Sequence, residues 1–339
     1  TYNKLFIMGI QACVVVRTQR LQYQFNTGKQ RKNKMAGTHF RGAVMFSSAT
    51  PALQNLNIGN WPDQVYYMDD FLDHVFNAGA AAGNFWSVIG NTNSPTTLAT
   101  LGNDGSLNGE VSSVPVGAIN DGTLIQSNMN YATPATRGNR LYFECRTKLT
   151  GTITTGVHAG APNTFWGLAE EGAAAGSTFG AAVTNLVGFK SLAGAAQLTA
   201  CIKSPNGAEL QLTPTDANLI TLGTMASNTE ITLGFELTNS PATAANGQVK
   251  TSSVTYYINR QAYATCFTRT AGGVTSSQFV AGTQSQAAVT YDAFPPTGTA
   301  AARMGLTWDI ILTAAVTNTL TSDYFMVSQD RGITYAPTN

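Results

Sequence analysis

Polar and apolar residues alternate along much of the chain from Tyr66 onward, and this period of two predicts β-strands. In LYFECRTKL (141–149), Leu141 and Phe143 begin an apolar side, while Tyr142 and Glu144 begin a side predicted to face water. EITLGFEL (230–237) repeats this alternation. Four more strands are predicted at TFWGLA (164–169), LVGFKS (186–191), RMGLTWDIIL (303–312) and SDYFMVSQ (322–329).

Turn signals separate these strands. TYYINRQAYAT (255–265) predicts a hairpin folded about Asn259 and Arg260, and QLTACIKSPNGAELQLTP (197–214) predicts a second one with Asn206-Gly207 at its tip. AGGVTSSQFVAGTQSQ (271–286) is interpreted as a long loop, and a turn or two of helix is expected near DDFLDHVFNAG (69–79). Many strands without βαβ alternation or a fixed repeat predict an all-β fold, a two-sheet antiparallel jelly-roll sandwich.

The charge of the chain is low and unevenly distributed. Only 11% of residues are charged, against about 25% in an average globular chain. Eight of the 19 basic residues lie at or before Arg41, and no acidic residue precedes Asp63. A neutral, hydroxyl-rich surface is more typical of a packed or secreted structural protein than of a cytosolic enzyme.

The N-terminal region predicts three segments before the sandwich begins. KQRKNK leads directly into Met35, and three interpretations of the basic stretch 1–34 remain open. It is a leader outside the mature protein (the interpretation favoured here), an arm that binds nucleic acid, or a targeting segment. Residues 35–65 predict an extended docking arm, with Phe40, Arg41 and Trp61 as candidate contact residues. Residues 66–332 form the predicted sandwich and 333–339 a C-terminal tail.

Enzyme chemistry is not predicted. A glycoside hydrolase needs two carboxylates about 5–9.5 Å apart, and the chain has no Glu-x-Asp-x-Glu cluster on one strand. Glu230 and Glu236 have even spacing but lie about 20 Å apart along a strand. The three histidines, His39, His74 and His158, lack the spacing of metal ligands.

Other chemistry-bearing residues have structural interpretations beside functional ones. Asp69 and Asp70 are a weak candidate for Ca²⁺, while solvated carboxylates at a turn are the favoured interpretation, so no cofactor is expected. Cys145, Cys201 and Cys266 fall in strands as small buried hydrophobes. The tryptophans at 86, 166 and 308 are expected to pack in the core, with a sugar-stacking platform as the alternative. LFIMGIQACVVV (5–16) is too short to span a bilayer, which takes about 20 residues.

Several segments, taken in order, resemble the concanavalin A-like (laminin G-like) sandwiches carried by structural proteins of tailed phages. They are YYMDDF followed by FWSVIG, RGNRLYFECRTKL, TFWGLAEEG, ITLGFEL followed by VTYYINRQAYAT, and the closing strand SDYFMVSQDR. MAGTHFRGAV resembles the beginnings of such phage proteins. The resemblance covers residues 66 to 332.

This resemblance implies a non-enzymatic virion protein at the surface of a bacteriophage head, which decorates or reinforces the capsid shell. Its implied partners are the major capsid protein or sister subunits, with a homotrimer as the implied oligomer. Neither a nucleic acid nor a membrane is an expected partner. The alternative is a glycan-binding adhesin or lectin-like module, either in a phage tail or fibre or secreted, whose ligand would be a host-surface glycan.

Overall fold

The computed structural model describes 17 strands, one helix and the segments that adjoin them. The described ranges are 64–69, 86–90, 100–102, 111–114, 122–127, 131–134, 139–151, 162–170, 183–191, 197–240, 250–296, 303–313 and 318–330. The basic leader, the tail and the docking arm up to residue 63 lie outside these ranges. The domain boundaries predicted for them therefore stay predictions.

The strands follow one another along the chain with a single short helix between them. They are β1 (Gln64–Asp69), β2 (Trp86–Gly90), β3 (Thr100–Gly102), β4 (Val111–Val114), β5 (Gly122–Ser127), β6 (Arg140–Gly151), β7 (Asn163–Glu170), β8 (Leu186–Ser191), β9 (Leu198–Lys203), β10 (Leu210–Leu212), α1 (Ala217–Gly223), β11 (Ile231–Ser240), β12 (Lys250–Ile258), β13 (Gln261–Ala271), β14 (Val274–Ala281), β15 (Gln284–Ser285), β16 (Met304–Ile311) and β17 (Asn318–Asp330).

These strands form two antiparallel sheets. The larger sheet has ten strands in the order β15-β14-β13-β12-β11-β6-β17-β4-β3, with β1 also paired to β17. The smaller sheet has seven strands in the order β10-β9-β8-β7-β16-β5-β2. The predicted fold class, an all-β, two-sheet antiparallel sandwich, is confirmed.

The two sheets enclose a core of aliphatic and aromatic side chains. Trp308 stacks on Phe325 with ring centroids 4.6 Å apart, and Trp86 meets Trp308 edge-on at 5.1 Å. The Phe143 and Phe235 rings stack at 5.0 Å on adjacent strands of the larger sheet. The alternation read from the sequence therefore places the expected side chains of β6 and β11 inward.

The outer face of the smaller sheet is buried as well, which the alternation did not predict. Every residue of β8 and β16 is buried, as in strands covered on both faces. A second apolar cluster lies on this outer side, made of Leu124, Phe165, Ala169, Val183, Leu186 and Cys201. Residues of the smaller sheet are therefore buried on both of its faces.

Both predicted hairpins are confirmed, whereas the predicted loop 271–286 is wrong. Ile258 pairs with Gln261 across the two-residue turn, and β9 pairs with β10. Residues 274–281 form β14, whose Ser277 and Phe279 point inward and are fully buried. Alternate residues of β14 are buried, but some of the buried ones are small and polar, so the sequence shows no clear alternation of apolar and polar residues.

Helix α1 was not predicted. Its N-cap is Asp216, whose carboxylate accepts hydrogen bonds from the backbone N–H groups of Asn218 and Leu219. The helix predicted near 69–79 lies outside the described residues. No helix in the described part of the chain is long and apolar enough to cross a membrane.

Candidate functional site

The residues singled out from the sequence do not gather into one site. Trp86, Trp166 and Trp308 lie in the core, so the expectation of core packing is confirmed over the sugar platform. Cys145, Cys201 and Cys266 are buried free thiols, as expected. Burial raises the pKa of each of the three, which makes them poor nucleophiles.

The other predicted site residues fall outside the described part of the chain. These are Phe40, Arg41 and Trp61 of the arm, Asp70 of the calcium candidate, and the three histidines. Asp69 is the last residue of β1. Among the described residues no three His, Cys, Asp or Glu side chains gather as metal ligands, and the calcium candidate stays untested.

The outer face of the larger sheet concentrates charge in a chain that has little of it. Nine charged side chains lie there along β6, β11, β17 and the β12–β13 turn: Arg140, Glu144, Arg146, Lys148, Glu230, Glu236, Arg260, Asp323 and Asp330. Four carry positive and five carry negative charge. We call this group the charged face, and it is the strongest candidate for a functional surface in the described structure.

Glu144 is the centre of the charged face. One carboxylate oxygen accepts hydrogen bonds from the Tyr324 hydroxyl at 2.6 Å and from the Arg260 guanidinium at 3.0 Å. The other accepts one from the Tyr142 hydroxyl at 2.6 Å. Burial, together with the Glu144 charge, raises the pKa of both tyrosines, so both hydroxyls keep their protons and donate.

The prediction that β6 has a side open to water holds at Arg146, whose side chain is 42% exposed, but is wrong at Tyr142 and Glu144. Tyr142 and Glu144 face outward, yet each is only 2% exposed. A charge can be buried in this way when it is paired and hydrogen-bonded on every side. The centre of the charged face is therefore rigid, and its most exposed groups, the arginines and Glu230, lie at its margin.

Arg260 reaches Glu144 because of an unusual turn. Asn259 and Arg260 have φ angles of 48° and 64°, the left-handed conformation that a two-residue type I′ hairpin requires at both positions. Asn tolerates this conformation, but Arg does so at a cost of about 1–2 kcal/mol. The Asn259 side chain accepts a hydrogen bond from the Thr232 backbone N–H at 3.0 Å, which fixes the turn to β11.

Three aromatic rings lie on the same outer face and are only partly buried. Tyr324 belongs to β17, Tyr257 to β12 and Phe267 to β13. Four strand spacings of about 4.8 Å separate β17 from β13, so these rings are spread over about 19 Å across the strands. These rings were not among the residues predicted from the sequence, because their outward register is set by strand pairing.

Two acidic residues of the charged face lie on neighbouring strands, an arrangement that the search along single strands overlooked. Glu236 pairs with Tyr142 and Glu144 with Gly234, so the two carboxylates are diagonal neighbours. Burial raises the pKa of Glu236, which also ion-pairs with Arg140 at 3.7 Å. Because Glu144 is buried and bound by three donors, it does not face a ligand as a catalytic acid or base would.

A second charged group lies on the buried outer face of the smaller sheet. The Lys190 ammonium contacts the Glu209 carboxylate at 2.5 Å, and the Lys190 side chain is only 5% exposed. Asp309 is fully buried, and burial raises the pKa of its carboxyl although the Ile310 backbone N–H and Lys190 lower it in part. This group lies beneath the surface and has no open face in the described structure.

Comparisons with known proteins bear on the fold alone. No protein-family model matches the chain, and no curated protein matches its sequence. A solved structure of a protein of unknown function from Shewanella oneidensis MR-1 is 15% identical, covering 86% of this chain and 99% of its own, with a TM-score of 0.44. An endo-1,3-beta-glucanase from Streptomyces sioyaensis is 14% identical over 79% of this chain and 97% of its own, with a TM-score of 0.43. Peanut lectin is 9% identical with the same coverage and a TM-score of 0.39.

Proposed function

We propose that the protein is a non-enzymatic module that binds a glycan chain across the outer face of its larger sheet. The observation that carries this proposal is the combination, on one face, of spread aromatic rings and a rigid network of hydrogen-bonding groups. The rings of Tyr324, Tyr257 and Phe267 offer apolar faces to the C–H faces of sugars. The exposed parts of the arginines and acids offer donors and acceptors to sugar hydroxyls.

The rigidity of the charged face supports binding because little side-chain entropy is lost when a ligand arrives. Arg140 and Arg260 are each held by a carboxylate, Glu236 and Glu144 respectively, and each is still about 40% exposed. Each guanidinium is planar and is held by a carboxylate, so the exposed part of each side chain is already positioned when a ligand arrives.

The balance of charge on this face favours a glycan over a nucleic acid. Among the described residues of this face, five basic side chains, including Arg269 of β13, stand against five acidic ones, so there is no excess of positive charge of the kind that attracts phosphates. A neutral glycan carries many hydroxyl groups, and each of them can both donate and accept a hydrogen bond. Such a ligand complements a surface that offers donors and acceptors together.

Binding is tested on a glycan array, followed by calorimetric titration of the best ligand. Tyr257→Ala is expected to lower affinity about 5- to 150-fold, since stacking of nucleic-acid bases on aromatic rings in other proteins contributes about 1–3 kcal/mol per base. Tyr291→Ala is the matched control because Tyr291 lies away from this face and donates its hydroxyl to the Ala208 carbonyl. If the parent protein binds no glycan, or if both variants lose affinity equally, the proposal fails.

The capsid-decorating virion role predicted from the sequence is kept as a second candidate. It is supported by the low charge of the chain, which lets a surface pack against many neighbours without desolvating charges, and by Val274, which is 59% exposed at the β13–β14 turn. Co-sedimentation of the full chain with empty phage heads tests it. Sedimentation with heads in the absence of any glycan ligand would favour decoration, and no sedimentation would count against it.

A further inference from the structure

The tip of the β9–β10 hairpin is a tight turn formed by Ser204, Pro205, Asn206 and Gly207. Proline in the second position and glycine in the fourth are typical of a type I turn. The Gly207 backbone N–H donates to the Ser204 carbonyl at 3.5 Å, which is longer than the usual hydrogen bond of about 2.7–3.2 Å. Asn206 is exposed, and its backbone N–H donates to the Ser204 hydroxyl at 3.3 Å. The turn therefore holds the backbone of Asn206 and leaves the Gly207 nitrogen only weakly bonded.

Asn206 differs from the other exposed asparagines in the described part of the chain, which are Asn218, Asn228 and Asn259. The side-chain oxygens of Asn228 and Asn259 accept hydrogen bonds. Asn218 is followed by Leu219, a bulky residue whose backbone N–H is bound to the Asp216 carboxylate. The Asn206 side-chain amide forms no hydrogen bond with a described residue, and the next residue in the chain is glycine.

An asparagine that precedes a glycine can lose its side-chain amide without an enzyme. The glycine backbone nitrogen, after losing its proton, attacks the asparagine Cγ. An N–Cγ bond forms, the Cγ–Nδ2 bond breaks and ammonia leaves. Water then opens the cyclic imide at one carbonyl to give aspartate or at the other to give isoaspartate, so water replaces ammonia and nothing is oxidised or reduced. Glycine favours the attack because it has no side chain to shield its nitrogen.

Packing against Tyr291 requires glycine at position 207. A Cβ there would lie 2.5 Å from a carbon atom of the Tyr291 ring, so any other residue would clash. Tyr291 also donates its hydroxyl to the Ala208 carbonyl at 2.8 Å. Closure of the imide requires the Gly207 nitrogen to leave Ser204 and turn towards the Asn206 side chain. Tyr291 therefore selects the reactive Asn-Gly pair and also restrains its movement.

We propose that Asn206 is a site of spontaneous deamidation, and that Tyr291 slows the reaction by holding the turn in place. Each event adds a negative charge at the hairpin tip, and the isoaspartate product lengthens the backbone between β9 and β10 by one atom. This hairpin belongs to the smaller sheet, whereas the charged face belongs to the larger one. The inference is therefore independent of the proposed function.

The test incubates the full chain at mildly alkaline pH and maps its peptides by mass spectrometry. Cleavage after Lys203 and Glu209 releases residues 204–209, in which Asn206 is the only amide side chain. Cleavage after Glu209 and Glu230 releases residues 210–230, which contain Asn218 and Asn228 as internal controls. The first peptide is expected to gain the mass of an Asn-to-Asp change and to separate into two isomers, while the second stays unchanged. A sample digested without incubation measures any reaction during digestion.

Two variants test the chemistry and the restraint. Asn206→Gln is expected to abolish the modification, because glutamine would have to close a larger ring. Tyr291→Phe keeps the ring but removes the bond to Ala208, and it is expected to speed the reaction about 2- to 12-fold, the change that corresponds to the loss of one hydrogen bond. Tyr67→Phe in β1 of the larger sheet is the matched control.

The inference is wrong if residues 204–209 gain no more mass than residues 210–230, or if they yield aspartate without isoaspartate. An unchanged rate in Tyr291→Phe, or an equal increase in Tyr67→Phe, would overturn the restraining role of Tyr291.

Discussion

Removing the Arg260 guanidinium is the sharpest test of the network at the centre of the charged face. We expect Arg260→Met to destabilise the protein because it leaves the Glu144 carboxylate, only 2% exposed, without its cationic partner. Met retains the aliphatic part of the side chain and the same left-handed backbone cost, so the difference isolates the charge.

The size of the effect follows from the contacts. Complete loss of a partner from a buried charge costs about 3–5 kcal/mol. The hydroxyls of Tyr142 and Tyr324 remain bound to Glu144, and the Arg260 side chain is itself 41% exposed, so the loss is limited to about 2 kcal/mol. Arg260→Gly should cost about 1 kcal/mol less than Arg260→Met, because glycine relieves the left-handed φ of 64°.

Urea unfolding followed by tryptophan fluorescence measures these changes, since Trp86, Trp166 and Trp308 are all buried. In a Glu144→Gln background, Arg260→Met should cost less than about 0.5 kcal/mol, because the buried charge is already gone. Equal costs in the two backgrounds, or a single-variant cost below about 0.5 kcal/mol, would show that the ion pair does not hold the network together.

Three further predictions concern the buried interior. Asp309→Asn should stabilise the protein at neutral pH. Burial raises the pKa of Asp309, so the folded protein keeps this proton at pH values where the unfolded chain has lost it. The unfolding free energy of the parent therefore falls as the pH rises above about 4. The variant lacks this carboxyl, so its unfolding free energy should depend less on pH. Gly188→Ala should lower the free energy of unfolding by several kcal/mol, as measured in urea. A Cβ at this position would lie 2.2 Å from a backbone oxygen, so the core would be overpacked. Cys145, Cys201 and Cys266 should resist a thiol reagent in the native protein and react once it is unfolded; labelling of all three in the native state would contradict their burial.

Most strands of this protein were predictable because apolar and polar residues alternate within each strand according to which face is buried. In β6 and β11, nearly every second residue is apolar, Thr147 being an exception, and the structure places those apolar residues in the core. The hairpin at Asn259 was predictable as well, since its turn depends on two neighbouring residues. β14 was missed because its inward positions include Ser277, whose hydroxyl is satisfied by the Tyr291 carbonyl, a partner that no local pattern reveals.

The candidate site was not predictable by the same means. Arg260 and Glu144 are separated by 116 residues, and nothing local to either residue signals the other. The aromatic rings and the acids of the charged face come from strands that become neighbours only through the order of the larger sheet. The β17 bulge that turns Asp323 towards Arg146 is likewise a property of pairing.

The all-β class, the positions of most strands and the inward sides of β6 and β11 could be predicted from local patterns, because hydrophobic burial acts on every second residue of a strand. Which strands are adjacent, the burial of the smaller sheet on both faces and the burial of Glu144 as an ion emerge only in the folded protein. These outcomes depend on hydrogen bonds and charge pairs between residues distant in the chain, and such pairs exist only after the sheets have formed.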